Sequence, residues 1–106
     1  MKVKCFLVVL LSTIMGTAHA GWAYCYVVDS DKLYVSRLFE HPGGFIGSPK
    51  DRFMKFVKVE YDAGYSAWVG CDGLSTKERA EQHQLNRMLS AKNKRNEVTR
   101  VSGWSG

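Results

Sequence analysis

Ala23-Tyr24-Cys25-Tyr26-Val27-Val28-Asp29 (AYCYVVD) and its later counterpart, Tyr65 to Asp72 (YSAWVGCD), decide how this chain folds. Both are short, free of proline and rich in aromatic or β-branched side chains, which is the composition of a strand. Alternation puts Cys25 and Val27 on one face of the first strand. In the second it puts Ala67, Val69 and Cys71 on one face and Trp68 on the other. If the two strands are neighbours, Cys25 and Cys71 sit where a disulfide can form.

Outward from this pair, Ser30-Asp31-Lys32 is a polar turn and Leu33 to Phe39 (LYVSRLF) is a second strand, the hairpin partner of the first. Glu40 to Gly47 (EHPGGFIG) reads as a Pro/Gly loop. Ser48-Pro49-Lys50-Asp51 then opens a helix, with a serine cap and proline at the first helical position. Phe53, Phe56, Val57 and Tyr61 give that helix one apolar face, and Gly64 closes it. Ser75-Thr76-Lys77-Glu78 reads as a capping box for a second helix. Its thin apolar stripe is Ala80, Leu85, Met88 and Leu89. Glu97 to Val101 is a last short strand before a tail that carries Trp104. The expected order is ββαβαβ: an α+β domain with a sheet of about four strands, two helices covering one sheet face, and one disulfide.

The composition agrees with one small domain. The chain has 106 residues, 45% of them hydrophobic and 24% charged. That is too apolar for a disordered chain and too short for a second domain. No apolar run reaches the roughly 20 residues of a membrane-spanning helix, so integral membrane insertion is not expected. Residues 1–20 have the pattern of an export signal: Lys2 and Lys4, the apolar run Cys5 to Met15, a break at Gly16, and Ala18-His19-Ala20 as a cleavage site. The expected organisation is a signal peptide over 1–20 and a single domain over 21–106, in a periplasm or outside the cell. Without Lys2 and Lys4, 13 basic residues face 10 acidic ones. That excess is too mild for a dedicated nucleic-acid binder, and no nucleic-acid partner is expected. Cys25 and Cys71 are the pair that remains after Cys5 leaves, and in an oxidising compartment they read as one disulfide.

The residues that carry chemistry are sparse. His41 lies in the Pro/Gly loop and His83 on a solvated helix, and neither has the nucleophile setting that covalent catalysis needs. Asp29 and Asp31 flank Ser30 without the further oxygens of a calcium loop. The cysteine and histidine spacings match no structural zinc pattern. No catalytic residue, metal or other cofactor is therefore expected.

The aromatics stand out, since twelve of the thirteen follow residue 20. They either fill the core or line an uncovered sheet face, where tyrosine and tryptophan make protein contacts or stack on sugars. The candidate binding residues on that second reading are Tyr24, Tyr26, Tyr34, Trp68 and Trp104.

The strand Tyr65-Ser66-Ala67-Trp68-Val69-Gly70, the helix with Glu78, Arg79, Ala80 and Glu81, and the closing strand Val98 to Val101 together resemble the later half of a SPOR-type module. The resemblance covers about a third of the chain, whose overall look is that of small exported bacterial proteins. It implies a ferredoxin-like α+β fold and binding to denuded peptidoglycan glycan, with Trp68 as the one residue carried over. The first half departs from the pattern, with two strands ahead of the first helix. The expected function is thus a small exported, non-enzymatic binding protein acting on an envelope or secreted protein partner, as an inhibitor, immunity or accessory protein does. Peptidoglycan binding is the alternative. A secreted enzyme or toxin is a third, and it would need His41 with a positioned carboxylate in a cleft.

Overall fold

The structure is a computed structural model that describes residues 21–41, 47–104 and 106. The expected export signal and most of the expected Pro/Gly loop lie outside these residues. The elements are β1 (Gly21–Asp29), β2 (Lys32–Val35), β3 (Phe39–His41), α1 (Gly47–Tyr61), β4 (Trp68–Leu74), α2 (Lys77–Asn93) and β5 (Glu97–Arg100). They form an α+β domain on a mixed five-stranded sheet. No helix among the described residues is long and apolar enough to cross a membrane.

β1 is the spine of the sheet. β4 runs antiparallel along one edge, from Trp22↔Leu74 to Val28↔Trp68. β2 and β3 share the other edge, and β5 extends it, parallel to β2. The second strand expected over Leu33 to Phe39 is interrupted. The register passes from Tyr26↔Val35 to Ala23↔Phe39, so three residues of one strand face two of β1. That is a one-residue β-bulge. Buried Ser36 repairs the ladder there: its N–H donates to the Cys25 carbonyl, and its Oγ accepts from the Cys25 N–H, both at 2.8 Å. The bulge leaves β3 as a separate fifth strand, with His41 paired to Gly21 inside the sheet rather than placed in a loop.

The two helices do not share a face. Phe53 and Val57 of α1 pack with Ala23, Cys25, Val27 and Tyr34 on one side. Met88 and Ala91 of α2 pack with Tyr24, Tyr26, Leu33 and Val35 on the other. A strand covered on both faces must be apolar at nearly every position, and β1 is. The stripe of α2 is correspondingly shifted. Ala80, Gln84, Met88 and Ala91 are buried, whereas Leu85 and Leu89 lie outside at 44% and 48% exposure.

Helix ends also differ in detail. The cap of α2 is Thr76, one residue later than expected, and its hydroxyl accepts from the Arg79 N–H at 3.1 Å. α1 stops at Tyr61, before Gly64, with Asp62 in the left-handed region at φ 56°. Gly64 serves the next turn instead. Its N–H donates to Asp29 at 2.8 Å, and a Cβ there would lie 2.9 Å from the same carboxylate.

Cys25 and Cys71 are directly paired across β1 and β4 and form a disulfide, with Cα atoms 4.0 Å apart. Both backbone groups of Cys25 bond towards Ser36, so the cysteines occupy the closer, non-hydrogen-bonded type of antiparallel pair. The bridge closes a separation of 46 residues, worth about 4 kcal/mol on the chain-entropy account.

Candidate functional site

The register set by the disulfide brings Tyr24 beside Asp72. α2 then lays His83 and Arg87, one turn apart, across the same pair. The Tyr24 hydroxyl lies 2.7 Å from His83 Nδ1 and accepts from Arg87 Nε at 3.0 Å. Arg87 also donates to Asp72 Oδ2 at 2.8 Å. Its guanidinium stacks on the Tyr26 ring, 3.8 Å from the centroid. The Asp72 carboxylate is 3.5 Å from the phenol, so the single phenolic proton has its shorter path towards His83.

Burial pushes the Tyr24 phenol above its ordinary value of 10.0, against the opposing hydrogen bond and charge of Arg87. The phenol is therefore a neutral donor at ordinary pH. One polar network fastens α2 to β1 and β4 through groups from three elements.

Beside this network, an open groove of about 540 Å³ runs between α2 and the start of β4. That volume falls within the range of small binding clefts. Its floor is Val28, Leu33 and Ala91, and Trp68 lines it as the aromatic ring. Its polar lining comes from His83, Asn86, Arg87 and Ser90 of α2 and from Lys32, Lys94 and Asn96. Among the described residues donors predominate and no carboxylate lines the groove, and Lys32 and Lys94 are exposed cations. Trp68 is 54% exposed and meets Tyr26 edge-on, with ring centroids 5.8 Å apart. An apolar centre with a hydrogen-bonding rim is the anatomy of a protein interface.

The five candidate binding residues are dispersed. Tyr24 and Tyr26 are buried beneath α2, and Tyr34 is buried on the opposite face against Tyr61. Trp104 folds back onto Phe53 and Phe39, with centroids at 4.8 and 5.6 Å. Among the described residues there is thus no uncovered aromatic sheet face, because each helix takes one face. Of the five, Trp68 alone presents a largely exposed ring, and Tyr26 supports it from below. His41 Nε2 is buried with no hydrogen-bond partner among the described residues, and no carboxylate is paired with it there.

Asp72 and Arg87 are absent from the sequence-derived candidates, and His83 enters them only as a histidine on a solvated helix without a nucleophile setting. The i, i+4 spacing of His83 and Arg87 was readable, as was the alignment of Tyr24 with Asp72 once Cys25 is paired with Cys71. The groove itself depends on where α2 rests, which no local pattern specifies.

No protein-family model matches the chain, and neither a curated protein nor a solved structure matches it.

Proposed function

We propose that the chain is a small exported binding protein, periplasmic or secreted, that acts without catalysis on a protein partner as an inhibitor, immunity or accessory protein does. The observation that carries this reading is the groove between α2 and β4, with its apolar floor, exposed indole and rim of donors. Buried tryptophan and arginine anchors commonly supply most of the affinity in such interfaces. Here Trp68 and Arg87 are held in advance by Tyr26, Asp72 and the disulfide-bonded strand pair. A surface that is ordered before binding loses less entropy on association. A disulfide in a small domain also suits an oxidising compartment. Sugar stacking favours two or more rings along a groove, and among the described residues the lining supplies one, Trp68, so a protein partner fits better than glycan.

The test is co-purification of the tagged, exported protein from crosslinked cells, with mass spectrometry of what accompanies it. The reading expects one stoichiometric protein that is lost with Trp68→Ala. Recovery with insoluble sacculi and no protein companion would replace it with glycan binding.

A further inference from the structure

β4 is an edge strand, paired only with β1 among the described residues. Its bonding parity follows from Cys25, whose N–H and C=O both turn towards Ser36. Hydrogen-bonded and non-hydrogen-bonded pairs alternate along an antiparallel ladder. Trp68, Gly70, Asp72 and Leu74 therefore bond inward to β1. Val69, Cys71 and Gly73 point their N–H and C=O groups outward, where no described backbone group meets them.

Edge strands in soluble proteins are usually blunted by lysine, proline, a bulge or extreme shortness. β4 has none of these. It is seven residues long, its register with β1 is unbroken, and its single charge, Asp72, is held by Arg87. The disulfide pins its centre to β1.

We propose that two copies of the chain pair through β4, antiparallel about Cys71, into one continuous ten-stranded sheet. The edge is self-complementary in that register. Cys71 faces Cys71 of the second copy, and Val69 faces its Gly73, so the three outward residues of each copy satisfy one another in six backbone hydrogen bonds. Between them, Trp68 meets Leu74 of the second copy on the α2 side, and Gly70 faces Asp72, leaving no like charges directly opposed. The two-fold axis lies perpendicular to the sheet, so both grooves open on the same side of the dimer. A short strand-edge contact is small beside standard interfaces, and a weak, concentration-dependent dimer follows.

Sedimentation equilibrium of the disulfide-bonded protein tests this. The mass rises from one copy to two between roughly 1 µM and 1 mM. Gly73→Pro removes an outward N–H without touching the ladder to β1, and Trp68→Lys puts a charge opposite Leu74. Each weakens the dimer by about tenfold or more. Near-UV circular dichroism checks that both variants fold, and Trp68→Lys decides alone if the proline variant does not. A single-copy mass over the whole range, or a dimer equally tight in every folded variant, overturns the proposal.

Discussion

Tyr24→Phe removes one oxygen from a residue with no exposed surface and leaves its ring packing in place. The lost oxygen accepts from Arg87 Nε at 3.0 Å and contacts His83 Nδ1 at 2.7 Å. His83 is 43% exposed and turns to water, whereas the less exposed Arg87 keeps Asp72 and the Tyr26 face. A bond to a charged donor contributes about 1.5 kcal/mol or more and a neutral one about 1, with part recovered by hydration. The expected loss is about 2 kcal/mol, which lowers Tm by roughly 10 °C in a domain of this size. His83→Ala, which leaves the Arg87 bond intact, loses about half as much.

The same hydroxyl gives a pH signature. Its folded pKa is raised above the unfolded value of 10.0. The unfolded state therefore releases the phenolic proton first as pH rises. The associated stability is fully present below pH 10.0 and falls as pH climbs towards the folded value. Calorimetry of wild type and Tyr24→Phe, disulfide intact, should show the widest gap at neutral pH and a narrowing gap above pH 10.0. A Tm difference under about 2 °C, or a gap that stays constant into the alkaline range, would refute the network as the fastening of α2.

Replacing Cys25 and Cys71 together with alanine removes a cross-link over 46 residues and should cost about 4 kcal/mol in urea unfolding. Gly70→Ala places a Cβ 2.5 Å from the Tyr26 hydroxyl. The Tyr26 ring, held between Arg87 and Trp68, must shift, at about 1–3 kcal/mol in the same urea assay. Trp68→Ala should change the urea midpoint little, because the ring is half exposed, while lowering affinity for the captured protein partner by about thirtyfold or more in titration calorimetry.

The legible part of the fold was the part fixed by short-range pattern. β1, the hairpin to β2 and the presence of both helices follow from alternation and apolar periodicity, and the cysteine pairing from two inward-facing strand positions. The bulge at Ser36 was hidden, since a serine within an apolar run reads as an ordinary outward position until it bonds both backbone groups of Cys25. Gln84 is hidden in the same way: it is buried because its amide donates to the Ser36 carbonyl at 2.7 Å, a partner 48 residues away. The aromatic residues were visible as an excess, and only the helix placement separates core rings such as Tyr24 and Tyr34 from the exposed Trp68. Continuous apolar character through Ala23, Tyr24, Cys25, Tyr26 and Val27 was itself a sign of a strand covered on both faces.

The most direct test of a protein partner in the groove is photocrosslinking in living cells, with a photoreactive phenylalanine analogue replacing Ser90 in the groove or Val59 on the outer surface of α1. The account predicts one discrete adduct with a different protein from position 90 and none from position 59. No such adduct from position 90, or equal adducts from both positions, would contradict it.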